Sequence, residues 1–120
     1  MEYYTPKILI NLNMKQEYNK IPIVVVENKL EFGIKSKGTC IFRIELQEAP
    51  KGIGMYLRVL SPNKDKFTIV PTKVGDSTFI VDLKEDEKKI EGKYKFEIVI
   101  TSGEQEMIIY QGKYRIKEWL

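Results

Sequence analysis

The stretch Gly92-Lys-Tyr-Lys-Phe-Glu-Ile-Val-Ile100, followed by Thr101-Ser-Gly-Glu-Gln105 and then Met107-Ile-Ile-Tyr-Gln-Gly-Lys-Tyr-Arg-Ile116, decides the fold class. Tyr94, Phe96, Ile98 and Ile100 recur at every second position, with Lys93, Lys95 and Glu97 between them. That period belongs to a strand with one dry and one wet face. The break at Ser102-Gly103 and the second apolar run complete a strand, a turn and a strand.

The start of this unit carries a second signal. Gly92, Tyr94 and Phe96 have the spacing of the corner in immunoglobulin-like sandwiches: a small residue, a Tyr two positions on, and a core residue two after that. In such a corner the ring enters the core and the hydroxyl reaches a backbone group upstream. A Tyr that is simply one inward aromatic of a strand would show the same spacing, and in either case its role is architectural.

Outward from this unit the chain repeats the same grammar. Ile8, Ile10 and Leu12 alternate with polar residues after Pro6, and Ile21-Pro-Ile-Val-Val-Val-Glu27 resumes extended structure, with Pro22 restricted to a strand start or an edge. The run 21–27 is apolar on both faces and needs something further to bury against, within the domain or in a neighbouring subunit. Leu30, Phe32 and Ile34 form a short strand in which Gly33 suggests a bulge or a close approach of backbone. Cys40, Phe42, Ile44 and Leu46 form the clearest period-two strand of the first half. Met55–Leu60 and Lys66–Val70 flank Ser61-Pro-Asn-Lys-Asp65, a reverse turn in which Pro62 pre-sets its angle and Asn63 suits the left-handed conformation. Phe79, Val81 and Leu83 mark another strand, and Lys84–Ile90 is the only segment with helical character, read as a single turn pinned to the core by Ile90.

Eight or nine short strands at this spacing, with no long helix to cover a parallel sheet, predict one all-β domain over residues 1–120: an immunoglobulin-like, antiparallel two-sheet β-sandwich. A small closed barrel of the oligonucleotide-binding type is the structural rival.

Composition narrows function by exclusion. The chain has 120 residues, 42% of them apolar and 11% aromatic, enough to bury a core of its own. Its longest apolar runs are far too short to span a bilayer, and its beginning lacks the basic start and apolar run of a secretory signal, so neither membrane nor export is expected. Histidine is absent and Cys40 is the sole cysteine. Ser-His and Cys-His nucleophile pairs, an imidazole acid or base, and a mixed Cys/His zinc site therefore drop out, and Cys40 reads as a buried thiol. Asp82, Glu85, Asp86 and Glu87 form an acidic cluster without the ligand spacing of a calcium loop and with Lys88-Lys89 offsetting it. No enzyme and no cofactor are expected. The net charge of +3 comes from 20 basic and 17 acidic residues, with lysines scattered over every expected strand and turn. A nucleic-acid binder more often concentrates them, and no nucleic-acid partner is expected.

The features left over point to protein surfaces. Tyr3, Tyr4 and Trp119 place large rings near the two ends, and Met107-Ile-Ile-Tyr110 puts apolar groups on both faces of a late strand. Tyr and Trp are enriched at partner surfaces. Tyr3, Tyr4, Met107, Ile109 and Trp119 are therefore the candidate contacts, and Ile109→Lys is expected to abolish assembly while leaving the fold intact.

Taken in order, Lys7–Asn13, Thr39–Leu46, Tyr56-Leu-Arg-Val-Leu-Ser-Pro-Asn-Lys-Asp65 and Ile90-Glu-Gly-Lys-Tyr-Lys-Phe-Glu-Ile98 leading to Gln111-Gly-Lys-Tyr-Arg-Ile116 resemble the amino-terminal, immunoglobulin-like domain of baseplate upper proteins from tailed phages of Gram-positive bacteria. Members of that family usually continue into further domains. The resemblance implies a non-enzymatic virion part, assembled in the host cytoplasm with other baseplate proteins or with itself, and carries over no catalytic residues. A carbohydrate- or ligand-binding sandwich module is the alternative from a different class.

Overall fold

The alternating pattern resolves into ten strands in a computed structural model that describes residues 6–12, 23–27, 30–33, 40–49, 51–84 and 90–117. They are β1 (Lys7–Asn11), β2 (Ile23–Glu27), β3 (Glu31–Gly33), β4 (Ile41–Gln47), β5 (Gly54–Leu60), β6 (Lys66–Ile69), β7 (Thr72–Lys73), β8 (Thr78–Asp82), β9 (Gly92–Ser102) and β10 (Gln105–Lys117). Two five-stranded sheets result, ordered β2-β1-β4-β8-β7 and β3-β10-β9-β5-β6. They pack as a sandwich, and no helix occurs among the described residues.

The sheets are mixed rather than purely antiparallel. β1 runs parallel to β4, and β3 runs parallel to β10. A parallel neighbour cannot follow directly through a tight turn, so both pairs join strands distant in sequence. Sequence periodicity reports which face of a strand is dry, not its direction, so neither pair is visible in it. β7 is only two residues long and carries no period by which the sequence could announce it.

Inward residues of both sheets meet in one core. Ile8, Ile10, Phe42, Ile44 and Val81 from the first sheet face Leu57, Tyr94, Phe96, Ile98, Tyr114 and Ile116 from the second, and Cys40 is buried with them. Tyr94 and Tyr114 stand directly across from each other on β9 and β10 and stack with centroids 4.7 Å apart and planes 9° from parallel.

The corner at Tyr94 forms as the spacing predicted. Its hydroxyl donates to the Ile90 carbonyl at 2.7 Å and accepts from the Ile90 amide at 3.1 Å. Gly92, between them, has φ of 139°, and a Cβ there would lie 2.8 Å from Pro62 Cγ, so the corner requires glycine on two counts. Ile90 itself does not pin the chain through its side chain, which is exposed; the backbone of Ile90 is what Tyr94 holds. The expected helical turn falls on residues 85–89, outside the described residues.

Two smaller expectations shift by a residue or more. In the turn between β5 and β6 the positive φ, 71°, belongs to Lys64 and not to Asn63. Asn63 is occupied instead in hydrogen bonding, its side-chain oxygen accepting from the Ser61 hydroxyl and from the Asp65 amide. Gly33 lies in regular register with Lys117, and the irregularity sits on β10. There Ile108 pairs with Val99 and Tyr110 with Ile98, so Ile109 is one residue extra. The consequence is that Ile109 and Tyr110 both turn inward, and parity reverses between the two halves of β10. Gly112 makes room for this: a Cβ on it would lie 2.3 Å from the Tyr110 ring and 2.8 Å from Phe96 Cζ.

Gly112→Ala should therefore destabilise the domain by about 1–3 kcal/mol through overpacking, measurable as a lower urea midpoint with an unchanged slope. Tyr94→Phe should cost about 1 kcal/mol by removing the corner hydrogen bonds. Burial raises the Tyr94 phenol above the ordinary tyrosine pKa, against a smaller lowering by the Ile90 backbone bond. The folded state thus holds this proton more tightly than the unfolded chain. Its contribution is complete below the unfolded value of about 10 and is lost as pH rises through the folded one. Urea titrations from neutral pH to above that value should show wild-type stability falling, and Tyr94→Phe falling less.

Candidate interaction surfaces

The strand parity set by the bulge decides which late apolar residues reach solvent. Counting outward from buried Tyr114 and Ile116, an unbroken β10 would turn Ile109 out and Ile108 in. The extra residue reverses this: Ile109 is 5% exposed and belongs to the core, while Ile108 and Met107 are each 48% exposed. Ile109 is thus a core residue rather than a surface one, and Ile108 is the residue that reaches solvent. Met107 stands as an exposed residue. Tyr3, Tyr4 and Trp119 lie outside the described residues.

Ile108 belongs to a small apolar cluster on the outer face of the second sheet. It stands opposite Val99, whose other cross-strand neighbour is Tyr56 on β5. Tyr56 donates its hydroxyl to Glu106 Oε2 on β10 at 3.0 Å, and a side chain from β5 that reaches β10 must cross over β9. Val99, although it points away from the core, is consequently only 1% exposed.

Next to this cluster the face is polar and concave. Arg58, Leu60, Lys66, Lys95, Glu97 and Lys113 line an open hollow of about 880 Å³. Glu97 is held at its floor by Arg58 at 3.1 Å and by the Gln111 amide, which donates to it at 3.0 Å. The lysines that read as scattered in the sequence are drawn together here, because the register sets Lys95 directly across from Lys113 and Lys93 across from Arg115. Linear spacing between two strands of unknown pairing could not show this.

A second exposed apolar set lies on the edge strand β2. Ile23 is 65% exposed, and Val25 and Val26 are also exposed, while Val24 packs on the core. Of the described part of this apolar run, residues 23–27, Val24 packs within the domain and Ile23, Val25 and Val26 are left in solvent. The outer face of this first sheet is electrically self-contained. Lys7 lies 3.6 Å from Glu27 and 3.7 Å from Glu45, and Arg43 lies 3.1 Å from Glu45.

Among the described residues no group of His, Cys, Asp or Glu could hold a metal ion, and no helix is long and apolar enough to cross a membrane. Of the acidic cluster, Asp82 is described and pairs with Lys84, while residues 85–87 are not described.

No family model matches the chain, and no curated protein matches it significantly. Among solved structures it is similar to the N-terminal domain of ORF48 from phage TP901-1, with a TM-score of 0.56 at 9% sequence identity. The match covers 93% of this chain and 97% of that one. At this identity the two share a fold.

The parity reversal has a direct test. Ile109→Ala should cost about 2–4 kcal/mol by opening a cavity, whereas Ile108→Ala should cost under about 1 kcal/mol. Chemical denaturation of the two variants separates them, and equal losses would contradict the bulged register.

Proposed function

We propose that this chain is a structural component of a phage particle, in its tail or baseplate, and that it works by packing against copies of itself or other virion proteins. The observation that carries this reading is the likeness to the phage ORF48 domain, which runs nearly end to end in both chains. Surface chemistry agrees with a packing role. Met107 and Ile108 on β10 and Ile23, Val25 and Val26 on β2 offer two apolar areas on opposite sheets, as a subunit between neighbours needs. Among the described residues β2 is also an edge strand, and the outer backbone groups of an edge strand can pair with another chain.

The carbohydrate-binding alternative needs exposed aromatic platforms. Tyr94, Phe96 and Tyr114 are buried and Tyr110 packs on the core, while Tyr56 is tied to Glu106. Phe67 and Phe96 border the hollow on the second sheet, but Phe96 is buried and Phe67 packs on the core, so neither offers an open ring platform, which favours the assembly reading.

Mass spectrometry of purified particles from a phage carrying this gene should find the chain in fixed proportion to other virion proteins. In the same particles, Ile108→Lys combined with Val25→Lys should deplete it, while thermal melting of the isolated variant stays close to wild type. Particles that assemble normally without the protein would overturn the proposal.

A further inference from the structure

We propose that the outer face of the second sheet docks a carboxylate-bearing extended segment of a partner protein, held by Lys66, Lys93, Lys95, Lys113 and Arg115. This rests on the assembly reading and adds to it the chemistry of one partner.

The register brings the five cations together. Lys95 faces Lys113 and Lys93 faces Arg115 across β9 and β10, and Lys66 on β6 joins the Lys95 row through Leu60 on β5. All five are exposed. Like charges directly opposite each other on a sheet are destabilising, and here two such pairs lie side by side. Among the acids of this face Glu31 stands directly across from Arg115, but its ion pair, at 3.1 Å, is made with Lys117. Glu97 is engaged by Arg58 and Gln111, and Glu106 by Tyr56. Among the described residues none of the five cations has a carboxylate partner, whereas on the first sheet Lys7 and Arg43 are matched by Glu27 and Glu45. The unmatched charge is thus concentrated on one concave face, which asks for an anion from outside.

Geometry selects the class of anion. Lys93 and Lys95, and likewise Lys113 and Arg115, are two residues apart on a strand, a repeat of about 6.8 Å. An extended polypeptide with acids at alternate positions carries its carboxylates at that same repeat. The intervening floor offers Leu60 and, beyond Glu97, Ile108, which suit the aliphatic parts of such a segment. Single-stranded nucleic acid is the less favoured anion, because the rings of β9 and β10 that could stack on bases turn toward the core.

The probe is a short peptide of alternating Glu and Thr, titrated into the full chain at low salt and followed by backbone amide NMR shifts. Shifts centred on Lys95, Lys113 and Lys66 are expected. Lys95→Glu with Lys113→Glu should weaken binding by about tenfold, while Lys51→Glu with Lys84→Glu, which changes net charge equally, should leave it unchanged. Thermal melting controls for folding: the double variant exchanges one like-charge pair for another on an exposed face, so its melting temperature should stay close to that of the wild type. Absence of shifts, or equal losses in the two double variants, overturns the proposal. Tighter binding of an oligothymidylate to the same residues would also overturn it, making the face a nucleic-acid site. If the chain is found in particles yet Lys95→Glu with Lys113→Glu is incorporated normally, the docking proposal alone fails and the assembly reading stands.

Discussion

The stack of Tyr94 on Tyr114 is the contact from which the rest of this sandwich is positioned. It locks β9 to β10 in one register, and the Tyr94 hydroxyl ties that pair to the backbone at Ile90, where the chain arrives from the other sheet. Because a strand's side chains alternate, fixing one pair fixes the face of every residue along both strands. The same register that sends Phe96, Ile98 and Ile116 into the core therefore sends Lys93, Lys95, Lys113 and Arg115 together to the outer face. Core and surface are two consequences of one alignment.

Much of the architecture was legible because it depends on local period. The strands at Lys7, Ile41, Gly54, Lys66, Thr78 and Gly92 are all announced by alternation, and the corner by the spacing of Gly92, Tyr94 and Phe96. What escaped depends on relations between distant segments. The parallel pairs β1–β4 and β3–β10 leave no local mark, and the clustering of lysines appears only when β9 and β10 are aligned.

Ile109 shows the limit most sharply. Its neighbours Met107, Ile108 and Tyr110 are all apolar, so the segment 107–110 carries no alternation from which a face could be assigned. A single inserted residue then decides that Ile109 is core and Ile108 is surface. Gly112 is the nearest trace of this in the sequence, since a backbone position without a side chain is what the displaced Tyr110 ring requires. Read forward, a glycine within an aromatic strand says that something is crowded there, but not which residue has been displaced.

The parallel pairing of β3 with β10 also bears on the order of events when the chain is made. Residues 31–33 hydrogen-bond to residues 115–117, and β10 separates β3 from the rest of its sheet. Until residues 115–117 have left the ribosome, Leu30 and Phe32 have no sheet to join, and the second sheet lacks its inner strand. Such non-local closure slows folding, and apolar residues kept waiting are open to aggregation or capture by chaperones. Completion of this domain is thus coupled to the emergence of residues 115–117, however early its other strands have paired.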